Sequence, residues 1–185
     1  HLALRLGDTS RSYFPIRSMG LIFASEMQAD SALFYYEKAL EVARELNDSV
    51  RGSIVLYDMA QLYNMSEMYN EANEAISEAI ALSSSNRKNY YNLKGDVLSK
   101  LNQPDSAKYY LDAGLDISNI YKYVSSIYSL YNLEKGVGNY ENAVRYADDY
   151  ILYYDSIQHL IQREEIAKLM DDHALESHKK EVLAR

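Results

Sequence analysis

The chain has 185 residues, a net charge of −8, 48% apolar and 25% charged residues, 7 glycines, 2 prolines and no cysteine. Without cysteine there are no disulfides, thiol nucleophiles or cysteine-type zinc sites, and the acidic balance argues against binding nucleic acid or anionic lipid, both of which call for a basic face. So few backbone breakers argue against a turn-rich β protein and for a helical one, and no apolar run approaches the ~18 residues of a membrane span.

The opening "HLALRLGD" has no signal-peptide pattern. Residues 1–12 read instead as the end of a preceding repeat's helix, which implies an array that is longer upstream. From there, apolar spacing predicts helices over 13–26, 30–46, 50–65, 69–83, 87–101, 104–118 and 120–136, with one more from 140 onward. Pro15 then falls in the first turn of its helix and Pro104 at the start of another, where a missing N–H is tolerated.

These helices repeat. Displaced by 40 residues, Ala3, Leu6, Asp8, Arg11 and Met19 fall on Ala43, Leu46, Asp48, Arg51 and Met59. Two more copies follow at shorter spacing. Each first helix carries a small residue (Gly20, Ala60, Gly95), then a short turn, then a second helix with alanine at a fixed place: Ala32, Ala72, Ala107, Ala143. Seven residues on comes another small residue, Ala39, Ala79 or Gly114. The fourth copy departs at both flanking places, with Tyr131 and Tyr150. Antiparallel helices approach closely only where side chains are small, and residues four and seven apart share a helix face. Ala32, Tyr36 and Ala39 therefore form one stripe, small–large–small, for the partner helix and the next repeat; a single unit cannot bury it, so units must stack.

The stretch "MGLIFASEMQADSALFYYEKALEVA" (Met19 to Ala43) resembles the tetratricopeptide repeat, or TPR, whose signature has small residues at its eighth, twentieth and twenty-seventh places and favours aromatics at its eleventh and twenty-fourth. Gly20, Phe23, Ala32, Tyr36 and Ala39 stand at those places, and Ala60, Tyr63, Ala72, Ile76 and Ala79 follow in the second copy. The resemblance implies an all-α fold, four helical hairpins over residues 13–154 stacked as a right-handed TPR-like superhelix, with an extended helix or coiled-coil linker over 155–185. It also implies that the first helices line the concave surface. The exposed positions there become the candidate partner-binding groove: Arg17, Leu21, Tyr57, Gln61, Asn64, Asn92, Asp96, Lys100, Tyr128, Asn132 and Lys135. Tyrosine and asparagine are adaptable contact residues, so a protein or peptide is the expected ligand. Asp96 opposes a ligand carboxylate, so chaperone-tail binding is not expected.

From Asp148 to Arg185 the chain has no glycine or proline, which predicts one helix of about 40 residues. Its apolar positions run through Ile157, Leu160, Ile161, Ile166, Leu169 and Met170, then thin out to Leu175, Val182 and Leu183. "YDSI" and "REEIAKLMDDHALESHKKEV" are similar to the segment that follows the repeats in Bacteroidetes-type membrane-anchored histidine kinases and transcriptional regulators. That likeness implies the extracytoplasmic (periplasmic) sensor portion of such a regulator, with a cytosolic adaptor for complex assembly as the alternative. Apolar edges at residues 1–7 and in the tail leave room for a homodimer through the C-terminal helix.

No pattern of a catalytic or cofactor site emerges. There is no phosphate-binding glycine loop, HExxH, calcium loop or GxSxG elbow. His173 and His178 are five apart, off a common helix face, and adjacent carboxylates such as Glu164–Glu165 point about 100° apart. The expectation is a non-enzymatic scaffold with no cofactor or metal, and with no contact to nucleic acid or membrane through these residues.

Overall fold

A short turn of one design closes each of the four hairpins and recurs at Asn47 between the first two. Met27, Glu67, Asn102 and Gly138 each hold a positive φ, between 57° and 79°. The next residue's N–H reaches back to a carbonyl of the preceding helix: Gln28 to Phe23, Met68 to Tyr63, Gln103 to Leu98 and Asn139 to Glu134, all at 2.9–3.0 Å. This is the Schellman stop, which satisfies the last carbonyls of the helix. The carbonyl of that same residue then accepts from Ala32, Ala72, Ala107 or Ala143 and opens the next helix. A link this short makes consecutive helices antiparallel neighbours.

The computed structural model describes residues 2–83 and 87–183. Among these the regular structure is helical: α1 Leu2–Ser25, α2 Ala29–Glu45, α3 Ser49–Met65, α4 Tyr69–Leu82, α5 Arg87–Lys100, α6 Pro104–Gly114, α7 Ile120–Gly136 and α8 Tyr140–Leu183. The chain divides into two compact units, one up to Asp116 and one from Ile117.

In the first unit α1–α2, α3–α4 and α5–α6 are hairpins, and α2 also packs on α3 and α4 on α5. α1 further touches α3, and α3 touches α5. Within this unit the first helices thus form one layer and the second helices another. The predicted small–large scheme closes each hairpin. A Cβ on Gly20 would lie 2.5 Å from the Tyr36 ring, and one on Gly95 would lie 2.5 Å from Leu111. Tyr36, Ile76 and Leu111 are fully buried, as are Ala32, Ala39, Ala72, Ala79 and Ala107.

In the second unit α7 packs on α8 through Val124, Ile127, Leu130, Leu133, Ala143, Tyr146 and Ile157. α8 is one helix of 44 residues. Ile157 is its last buried position among the described residues; 158–166, 168 and 170 are exposed.

Two boundaries differ from expectation. The first helix does not start at residue 13; α1 begins at Leu2, and Pro15 lies inside it, not in its first turn. An internal proline leaves the carbonyl four residues earlier unpaired and usually costs a helix about 3 kcal/mol. Here both Pro15 and Arg11 are exposed, so water can bond the freed carbonyl. α6 stops at Gly114, short of 118, because Leu115 turns extended (φ −55°, ψ 127°). His1 lies outside the described residues, as do the side chains of residues 1–7, Leu169, His173, Leu175, His178, Val182 and Leu183 on which tail and edge expectations were placed.

Candidate functional site

The layer of first helices carries the candidate groove, and two of its expected ligand-reading residues turn out to hold that layer together. Arg17 on α1 donates to Asp58 on α3 through Nε at 2.6 Å and a second guanidinium nitrogen at 3.1 Å. This is the two-pronged geometry that makes arginine–carboxylate pairs strong. The Asp58 side chain is 5% exposed and that of Arg17 27%. Burial pushes the Asp58 carboxyl above its usual range even with Arg17 against it, while the hydrogen bond to Asp58 holds Arg17 protonated. Arg17 is therefore a fastener between α1 and α3 and not a free cation for a ligand.

Tyr57 on α3 stacks on Tyr90 of α5, with centroids 4.8 Å apart and rings 23° from parallel. Burial raises the pKa of its hydroxyl. Tyr13 adds another tie, donating from its hydroxyl to the Arg51 carbonyl at 3.0 Å, and burial carries its pKa up to about 12. Asn92 faces its own hairpin: the nearest atom to a Cβ built on Gly114 is Asn92 Oδ1. The carboxamide oxygens of Asn92 and Asn64 are buried without a hydrogen-bond partner. Asp96 is half-buried and engaged. Leu21, Gln61 and Lys100 stand exposed.

In the second unit Tyr128, Asn132 and Lys135 are all exposed. Tyr128 joins a run of rings: 5.3 Å to Tyr150, 6.2 Å to Tyr131, with Tyr150 stacked 5.5 Å from Tyr154. Lys135 lies 5.6 Å from the Tyr131 centroid, within cation–π range. Tyr128 and Tyr154 are 49% and 43% exposed, so this is an open aromatic face and not a core.

Sequence reasoning missed Asp58, Tyr90, Lys94, Tyr150 and Tyr154. Comparison between repeats carries a signal for two of them. Asp58 stands where the other copies have Ser18, Leu93 and Ser129, and Lys94 where they have Met19, Met59 and Leu130. Lys94 is buried on α5, its ammonium donating to Asn73 Oδ1 and Ser77 Oγ of α4, both at 2.5 Å. Burial pushes its pKa down. Among the described residues no three acids or histidines are placed to hold a metal ion, and no helix is long and apolar enough to cross a membrane.

Comparisons with known proteins bear on the family and the fold. Residues 25–131 match the family described as the SusR N-terminal TPR domain. No curated protein sequence matches the chain. Among solved structures, BtubC (BKLC) from P. vanneervenii superposes with a TM-score of 0.71 at 15% identity, covering 79% of this chain and 64% of that one. A putative kinesin light chain from Podosopora anserina, with nearly identical TPR-like repeats, gives 0.62 at 12% identity, covering 79% and 76%. YrrB, described as a TPR protein with an unusual peptide-binding site, gives 0.50 at 20% identity, covering 82% and 91%. At these identities the structures speak for the fold alone.

Proposed function

The chain belongs to the SusR N-terminal TPR domain family, whose fold serves as a protein-interaction scaffold, and from that premise we propose that it is the ligand-reading part of a membrane-anchored signalling or transcription regulator, on the extracytoplasmic side. The observation that carries this reading is the ring run Tyr128–Tyr150–Tyr154. Tyr128 belongs to the expected binding face of α7, whereas Tyr150 and Tyr154 belong to α8, the helix that runs on to Leu183. A peptide or protein segment docked on Tyr128, Asn132 and Lys135 therefore touches the long helix directly. Its contacts shift the Tyr150 and Tyr154 rings, and a continuous helix carries a displacement at one end to the other. Rigid aromatic side chains suit such a face, since they give contact area at little entropic cost.

Peptides selected from a display library on the immobilised chain test this reading. Tyr128→Ala is expected to weaken the selected binders about tenfold, or ~1.4 kcal/mol. Bound peptide should also slow hydrogen exchange of α8 amides around Tyr150–Ile157. Binders indifferent to Tyr128→Ala, or binding that leaves α8 exchange unchanged, would overturn the proposal.

A further inference from the structure

A second surface lies between two of the second helices. The backbones of α2 and α4 do not approach each other, and between them runs a groove floored by α3. Its main cavity, about 450 Å³, has Leu56, Met59 and Tyr63 on the floor. The walls are two facing rows of side chains at helical spacing: Glu37, Glu41 and Arg44 on α2, Glu71, Glu74 and Glu78 on α4. Five carboxylates thus meet one guanidinium. Arg44 reaches across to Glu78 at 3.4 Å, and beyond it the groove continues into a second cavity of about 350 Å³ that includes Gly52 and Leu82.

Three observations decide what fits. First, the carboxylates are spread along the groove, and no three of them are placed to hold one metal ion. The matching charge must therefore be spread as well. Second, the floor is apolar while the rims are acidic, and this is the inverse of a lysine or arginine side chain, whose alkyl stem lies on apolar surface while its head seeks charge and water. Third, the groove already holds a specimen of that chemistry: Arg44 lies along one wall and ends on the opposite row. Both partners of that bridge are largely exposed, so it is weak and readily exchanged for an incoming cation.

We propose that the α2–α4 groove is a docking surface for a basic segment of a partner protein, with lysine and arginine heads between the two glutamate rows and a stem along the half-buried Tyr63. This surface is separate from the aromatic face on α7 and α8 and does not depend on it.

The probe is a fluorescein-labelled twelve-residue peptide of lysine, arginine and leucine, titrated into the full chain by anisotropy. Glu41→Gln plus Glu74→Gln is expected to weaken binding about tenfold, and added salt to weaken it steeply. The charge-matched pair Glu26→Gln plus Glu45→Gln, outside the groove, should change it less than about twofold by the same screening argument. Equal losses in both pairs would reduce the effect to net charge and overturn the proposal. So would the absence of binding up to millimolar peptide. Competition by spermine as effective as that of unlabelled peptide would assign the groove to small polyamines and overturn the protein-segment reading.

Discussion

The hairpins of the first unit and the single hairpin of the second share a turn and a buried alanine, but below that alanine they are built in opposite ways. In the first unit a glycine or alanine on the first helix receives a large buried side chain from the second, as Gly20 receives Tyr36 and Gly95 receives Leu111. In the second unit the sequence reverses the sizes: Tyr131 takes the small place, and Ala147 stands at the place of Tyr36 and Leu111. The next small place, Ala39 or Gly114 before, becomes Tyr150, whose ring meets Tyr128. A buried small–large contact closes a stack. Tyrosines that close a hairpin while staying half in water leave an apolar surface with hydroxyls on it, which is what a partner can use. On the function proposed above, the repeat's degeneration in its fourth copy is a change of purpose in the same backbone.

The strongest way to break this contrast is to attack the link between first helices that Arg17 and Asp58 make in the first unit. Arg17→Ala leaves Asp58 buried without its cation, and removing one member of such a pair typically costs about 3 kcal/mol or more. The pH dependence identifies the cause. The folded-state pKa of Asp58 is raised, chiefly by burial. Its contribution to stability is therefore fully present below the unfolded value near 3.8 and is lost as pH rises through the folded one. Without Arg17 the shift grows, so the variant's deficit should be small near pH 3.5 and full at pH 7. Urea unfolding followed by circular dichroism at the two pH values measures this. Equal deficits would make Arg17 a packing residue and remove the ionic link from the comparison.

The next effect contrasts the two closures directly. An alanine Cβ at Gly95 would lie 2.5 Å from Leu111 and 3.0 Å from the Ala107 carbonyl oxygen. Overpacking costs roughly 1–3 kcal/mol, and about 2–3 where, as here, a backbone oxygen is among the atoms met; the helix propensity gained on leaving glycine offsets about 1 kcal/mol. Gly95→Ala should therefore lose about 1–2 kcal/mol net, although it only adds a methyl group. Tyr150→Ala removes a whole ring, yet one only half-buried and worth about 0.5–1.5 kcal/mol in its ring contacts. Thermal unfolding of the two variants side by side should place Gly95→Ala lower. If truncating Tyr150 proved the more damaging, the rings would be core and the open face would lose its rationale.

The repeat, its helices and the buried stripe were legible because they rest on short-range spacing. The size of a side chain and its place in a helix decide what Ala32, Tyr36 and Ala39 do, and both are written in the sequence. The candidate groove was legible only as a face. What Arg17 and Tyr57 do there depends on Asp58 and Tyr90, which arrive from the neighbouring first helix. A pattern counted within one repeat has no access to them. Asn92 was misplaced for a related reason: the missing side chain at Gly114, on the partner helix, draws its carboxamide inward. The length of α1 escaped because proline was given its usual meaning as a helix start, whereas here it sits on the solvent side, where the lost bond is least damaging.

The smallest predicted effect sharpens the comparison at the turn that both units share. The turns at Glu67 and Gly138 have the same Schellman bonds and positive φ values of 60° and 79°, but only the second uses glycine. A side chain in the left-handed region costs about 1–2 kcal/mol, and glycine returns part of that advantage through the entropy of the unfolded chain. Glu67 is exposed, so Glu67→Gly should stabilise by about 0.5 kcal/mol, whereas Gly138→Ala should destabilise by about 1 kcal/mol. Opposite signs in denaturant midpoints would mean that the two units obey one turn rule and differ only in how side chains fill the hairpin. A Gly138→Ala variant of unchanged stability would show that the second unit's turn yields where the first unit's does not. The difference between the units would then extend into the backbone.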